Sequence, residues 1–142
     1  MFPESMGKDV EMMEVDRLLG LAREMLPLAY APYSGYRVGA ALLTTEGEIF
    51  KGVNIENASL GLTICAERVA LFAAVAAGYR SFSLLALVAE GESEPLPCGA
   101  CRQVLGEFSR ELKVAVAGEK GEPKVFTLKE LLPHPFVLQD KA

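Results

Sequence analysis

Cys65 is followed two residues later by Glu67, and Cys98 stands three residues before Cys101 in Pro97-Cys98-Gly99-Ala100-Cys101. These two segments hold all three cysteines of the chain. Three soft thiolates suit a zinc ion and leave its fourth tetrahedral position open for water. A carboxylate beside such a site can manage the protons of that water. The combination describes a hydrolytic metal site, since a structural one would want a fourth protein ligand. The single histidine, His134, lies between Pro133 and Pro135 and reads as a surface residue. An odd number of cysteines excludes a complete disulfide framework, and in a cytosolic chain a C-x-x-C pair serves metal or redox chemistry.

Both cysteine segments fall at the start of a predicted helix. Free N–H groups and partial positive charge at a helix start favour thiolate over thiol. One helical turn aims Cys98 and Cys101 at the same point, and Cys65 must arrive from a second helix. Arg68, one turn after Cys65, is placed to offset the negative charge of the cluster. Gln103 is expected to orient Glu67 or the sulfurs, as outer-shell groups of metal sites do. Glu67 is the expected proton shuttle, with a pKa raised by burial. Metal-activated water attacking an amidine-like carbon, with ammonia leaving, is hydrolytic deamination.

The elements that must position these residues read as follows. Residues 11–29 carry apolar residues at spacings of three and four and predict a helix that Pro27 kinks or finishes. Residues 36–44 and 48–54 predict two strands joined by Thr45-Glu46-Gly47 as an antiparallel hairpin. Residues 54–63 are irregular. Residues 65–77 predict a helix stopped by Gly78. Residues 82–89 are nearly all apolar, as a buried central strand is. Residues 98–108 predict a helix, 113–117 a strand, 124–127 a further strand and 128–132 a short last helix. Strands followed by helices imply a partly parallel sheet covered on both faces. The expected fold is α/β, a three-layer α/β/α sandwich with a mixed five-stranded sheet, in one domain over residues 1–142.

Composition narrows the partners. The chain has 142 residues, 51% of them hydrophobic, and a formal net charge of −5 with no block of Lys and Arg. A protein that grips a polynucleotide backbone needs a basic face, so none is expected to bind here, although small nucleosides remain suitable. No apolar run reaches the ~18–20 residues of a membrane span. The polar N-terminal stretch lacks the pattern of a secretory signal, so a cytoplasmic location is expected.

Taken together the motifs resemble those of zinc deaminases that use Cys as first ligand. From about residue 14 to 138 the chain is similar to the small homotetrameric cytidine deaminases. The resemblance rests on Tyr33-Ser34-Gly35-Tyr36-Arg37-Val38-Gly39-Ala40-Ala41-Leu42, Gly52-Val53-Asn54-Ile55-Glu56-Asn57-Ala58-Ser59, Thr63-Ile64-Cys65-Ala66-Glu67-Arg68, the Pro97 to Gln103 run, and Leu131-Leu132-Pro133 with Phe136. It implies deamination of cytidine and 2′-deoxycytidine in pyrimidine salvage, with zinc held by Cys65, Cys98 and Cys101. Glu67 is then the general acid/base at the pyrimidine N3 and amino group. The Ala66 backbone and the Cys98 region meet the base edge, and Asn54 and Glu56 bind the ribose 3′-hydroxyl. Ala58 is retained in the sugar-side motif. Phe136 is the aromatic that stacks on the base from a neighbouring subunit, so that active sites are shared within a homotetramer.

Three departures stand out. Tyr36 replaces the usual Phe near the base. Gly35-Tyr36-Arg37 stands for the usual Lys-Phe-Pro. Leu60 replaces a Tyr expected near the ribose 5′ side. A blasticidin-type deaminase of the same fold shares the zinc motifs, but Asn54-Ile55-Glu56 favours a nucleoside sugar. A non-catalytic zinc-stabilised binding domain is the reading from another class.

Overall fold

Strands β1 (Val38–Thr44) and β2 (Ile49–Val53) form the expected hairpin, with Ala40 opposite Gly52. In the computed structural model, which describes residues 4–138, they join β3 (Phe82–Ala89), β4 (Lys113–Gly118) and β5 (Lys124–Thr127) in one five-stranded sheet of order β2-β1-β3-β4-β5. Only β3 and β4 are paired in parallel; the other neighbours are antiparallel. The sheet is mixed, as the sequence predicts. The single-domain reading of 1–142 includes residues 1–3 and 139–142, which lie outside the described residues.

The helices are α1 (Glu4–Glu24), α2 (Ala66–Ala76), α3 (Gly99–Phe108) and α4 (Leu128–Leu131). α2 leads from β2 over β1 to β3, and α3 leads from β3 to β4. Both crossovers step in the same direction along the sheet, and right-handed connections place both helices on the same face. Among the described residues, α1 is the helix that covers the other face.

Alternation along the strands divides the core accordingly. Leu42, Leu85, Leu87, Val114 and Val116 pack with Ala66, Ala70 and Leu71 of α2 and Leu105 of α3. Ala41, Ala86, Val88, Ala115 and Ala117 pack with Val15, Leu18, Leu19 and Ala22 of α1. β3 is buried on both faces, which explains its unbroken apolar run.

The first helix begins at Glu4, before the predicted residue 11; the polar stretch there has no apolar period from which the sequence could place the start. It stops at Glu24, and a 3₁₀ turn follows at Leu26–Leu28. Pro27 has no N–H to continue the ladder and disfavours helical backbone at Leu26. In the irregular stretch, Ile55 bridges both Tyr30 and Ile64, and a 3₁₀ turn covers Leu60–Leu62.

Candidate active site

The two thiolate segments sit at helix starts. Cys65 is the N-cap of α2 and Cys98 the N-cap of α3, where its sulfur accepts the Cys101 N–H at 3.5 Å. The Cys65 and Cys98 sulfurs are 4.0 Å apart, and those of Cys98 and Cys101 are 3.5 Å apart. A tetrahedral zinc with Zn–S of about 2.3 Å holds its sulfurs about 3.8 Å from one another. The cluster therefore has the spacing and soft donor set of a zinc site with three protein ligands.

Arg68 points Nη2 at the Cys65 sulfur, 3.5 Å away. Its Nε is buried and without a partner among the described residues, so the cation depends on an anionic neighbour. The Cys65 thiol is pulled down to about 5, first by a hydrogen bond from Cys101 and then by Arg68, against the effect of burial. Cys101 is pushed up by the same bond and by burial.

Glu67 lies in the first turn of α2 and is only 5% exposed. Burial raises its pKa most, and the negative charge of Cys65 adds to the shift. Glu67, Cys65 and Cys98 line one cavity of about 200 Å³, together with Tyr36, Asn54 and Leu96. This cavity lies beyond the carboxyl end of β3, where the crevice of an α/β sheet opens. A larger cavity of about 870 Å³ lies at the opposite pole, where Phe82 and Lys113 begin their strands. It contains neither the thiolates nor Glu67, so size alone does not select the site. Ala66 is fully buried at the floor of the smaller cavity.

Asn54, which lines the smaller cavity, and Glu56, which does not, are tied to the same segment before β1. Ile55 donates to the Ile64 carbonyl, and the Glu56 N–H donates to the Tyr30 carbonyl. This short extended stretch turns Asn54 and Glu56 to one side, two residues apart. The Asn54 side-chain oxygen accepts the Val38 N–H at 2.9 Å, and its NH₂ donates to the Tyr36 carbonyl at 2.7 Å. Glu56 Oε1 accepts the N–H groups of Tyr33 at 2.9 Å and Ser34 at 3.1 Å, and Oε2 accepts the Ser34 hydroxyl. These bonds hold the Glu56 carboxyl below the usual carboxylate range, the Ser34 hydroxyl contributing most.

The profile of the cytidine and deoxycytidylate deaminase zinc-binding region matches residues 12–117. The chain belongs to this family. It is 45% identical over 129 residues to a cytidine deaminase of Sporosarcina psychrophila, covering 90% of this chain and 95% of that one. It is 48% identical over 113 residues to a cytidine deaminase of Halalkalibacterium halodurans, covering 79% and 86%. The crystal structure of a cytidine deaminase from Burkholderia pseudomallei superimposes with a TM-score of 0.82 at 47% identity, covering 85% of this chain and 98% of that one. Zinc is thus the metal of this deaminase family site, in agreement with the thiolate geometry. No helix among the described residues is long and apolar enough to cross a membrane.

One residue expected beside Glu67 or the sulfurs, Gln103, has other partners in this chain. Gln103 turns neither to Glu67 nor to the sulfurs. Its NH₂ donates to the Phe136 carbonyl at 2.9 Å and its oxygen accepts the Phe136 N–H at 3.1 Å. Two residues along a helix amount to about 200° of rotation, which carries Gln103 away from the side of Cys101. Phe136 is 70% exposed and does not line the cavity of its own chain. Ala58 is exposed in a loop where Asn57 Oδ1 accepts the Ser59 N–H, and Leu60 is also exposed.

Sequence reasoning missed Arg102 and Ser34. Arg102 Nε donates to the Pro97 carbonyl at 2.7 Å and Nη1 to the Leu131 carbonyl at 2.8 Å, tying the loop before Cys98 to α4. Its spacing of four from Cys98 places it on the Cys98 side of α3. That spacing could have revealed it.

Proposed function

We propose that this chain catalyses hydrolytic deamination of cytidine and 2′-deoxycytidine to uridine and 2′-deoxyuridine with release of ammonia, in cytoplasmic pyrimidine salvage. The observation that carries this reading is a buried carboxyl, Glu67, that shares a cavity with Cys65 and Cys98, two members of a three-cysteine cluster completed by the buried Cys101. The curated relatives named cytidine deaminase support the substrate class.

Zinc bound by Cys65, Cys98 and Cys101 supplies the Lewis acidity that makes water nucleophilic at neutral pH. The protein residues do the rest. Glu67, its pKa raised toward neutrality, accepts the proton of the attacking water and delivers it to the pyrimidine N3. It then transfers the second proton to the departing amine, so that the C4–N bond breaks as ammonia leaves. The Ala66 backbone and the Cys98 region fix the base edge, and Tyr36 flanks it. Arg68 moderates the negative charge of the thiolates. Glu56 accepts the ribose 3′-hydroxyl, and Asn54 uses the donor and acceptor capacity that its two loop bonds leave free.

Ultraviolet monitoring of cytidine with zinc-loaded protein tests this reading. The expected result is loss of cytidine absorbance with equimolar ammonia. A folded, zinc-replete protein without turnover would reject the assignment.

The same reading makes the protein a homotetramer in which Phe136 stacks on the base bound by a neighbour. Leu28, Leu60, Leu62 and Phe136 are 67%, 70%, 65% and 70% exposed, which supports a surface meant to be covered. Subunit mixing measures the sharing directly. Phe136→Ala and Glu67→Ala proteins are each expected to be strongly impaired. Mixed oligomers should regain activity, because some sites then combine an intact Glu67 with an intact Phe136. Mixed oligomers no more active than the separate variants would place Phe136 outside the neighbour's site.

A further inference from the structure

The Ser34 hydroxyl links Glu56 to the backbone of Tyr36, a residue that lines the cavity. It donates to Glu56 Oε2 and accepts the Tyr36 N–H at 3.0 Å. Each contact fixes the other. A hydroxyl has one proton and two lone pairs, so accepting from Tyr36 helps to direct that proton at the carboxylate.

Glu56 has no cationic partner among the bonds that hold it. Its acceptors are filled by two backbone N–H groups on Oε1 and by Ser34 on Oε2. An ionised carboxylate offers about four lone-pair sites, so Oε2 keeps one acceptor position. Backbone bonds to Oε1 restrain one end of the group. Ser34 restrains the other, and thereby sets the direction of the remaining lone pair. Chains of this kind, from N–H to hydroxyl to carboxylate, also polarise one another.

We infer that Ser34 is a positioning residue for sugar recognition: through Glu56, it aims the acceptor that takes the ribose 3′-hydroxyl. This inference rests on the reading of Glu56 given under the proposed function. The alternative task for Ser34 is plain loop support. The Tyr36 N–H is in an exposed bond that water can replace, and Asn54 independently holds the Tyr36 carbonyl. Losing the Ser34 hydroxyl therefore weighs more on Glu56 than on the path of the loop.

The test compares cytidine with 3′-deoxycytidine. The zinc-loaded wild-type protein should favour cytidine in kcat/KM. Ser34→Ala should lower kcat/KM for cytidine roughly tenfold, the effect of one hydrogen bond to a charged group. It should leave 3′-deoxycytidine nearly unchanged. Ser34→Thr, which keeps the hydroxyl, should restore the preference. In a Glu56→Gln background, Ser34→Ala should add little, since both act on one contact. An equal fall for both substrates, or additive losses in the double variant, would show loop support and overturn the inference. A wild-type protein that treats both nucleosides alike would instead remove the Glu56 reading itself, and the Ser34 inference with it. Should Ser34→Ala fail to fold, Ser34→Gly carries the same comparison.

Discussion

Glu67→Gln is expected to give a folded protein that still binds zinc and deaminates cytidine roughly 10³-fold more slowly, within the range for loss of a general acid/base. The amide keeps the volume of the side chain, so the buried first turn of α2 has no cavity to absorb. The thiolates are untouched, and metal content should remain one zinc per chain. What disappears is a group that can both accept and return a proton. Glutamine does neither, so kcat should carry most of the loss. Full turnover in this variant would remove Glu67 from the chemistry.

The same substitution should alter stability with a sign that follows from the raised pKa. A carboxyl whose folded pKa lies above its unfolded value contributes fully below the unfolded value. That contribution is lost as pH rises through the folded value. At neutral pH the wild-type protein therefore carries the strain of an acid buried beside a thiolate. Metal-free Glu67→Gln should melt higher than metal-free wild type at pH 7, and the gap should close near pH ~4, where the unfolded carboxyl protonates. A gap that widened toward low pH would reverse the assignment.

Gly52→Ala is expected to damage stability and the metal site together. A Cβ at Gly52 would stand 2.5 Å from the Ala66 carbonyl oxygen and 2.6 Å from the Ala70 nitrogen. Both are backbone atoms of α2 and cannot rotate aside. The helix must lift from the sheet, at a cost of about 1–3 kcal/mol or more for overpacking. The residue pushed is Ala66, whose chain neighbours are Cys65 and Glu67. Zinc affinity should fall roughly tenfold, as it does when the support of a ligand is disturbed. Gly39→Ala makes the matching control. Its Cβ would collide with the Ala22 carbonyl oxygen, on the α1 face. It should lower the melting temperature without a selective loss of zinc. Thermal melts and competitive zinc titration of the two variants separate these outcomes. Equal loss of zinc affinity in both would mean that the sheet, rather than α2, transmits the disturbance.

Much of this was legible in the chain because its signals are local. The apolar run at residues 82–89 coincides with β3, and the helix predicted at 98–108 differs from α3 only by its N-cap, Cys98. The three cysteines were readable as one cluster because two share a helical turn and the third opens another helix. Less legible were features that depend on direction or distant partners. Closeness in sequence to Cys101 suggests that Gln103 orients Glu67 or the sulfurs, but helical rotation sends it to Phe136. The link of Ser34 to Glu56 has no local signal, because the two are 22 residues apart. The tight seats of Gly39 and Gly52 depend on which helix covers which face, and the strand pattern alone does not name that helix.

The separation of the thiolates along the chain has a further consequence. Cys65 and Cys98 are 33 residues apart, and the segment between them contains all of α2 and β3. An ion gripping both ends closes a large loop through the centre of the fold. In chain-entropy terms such a closure is worth about 3–4 kcal/mol, by analogy with a covalent cross-link of the same span. The metal that enables the reaction therefore also acts as a staple. Free zinc then bears on how long each molecule survives proteases and heat, and not on turnover alone.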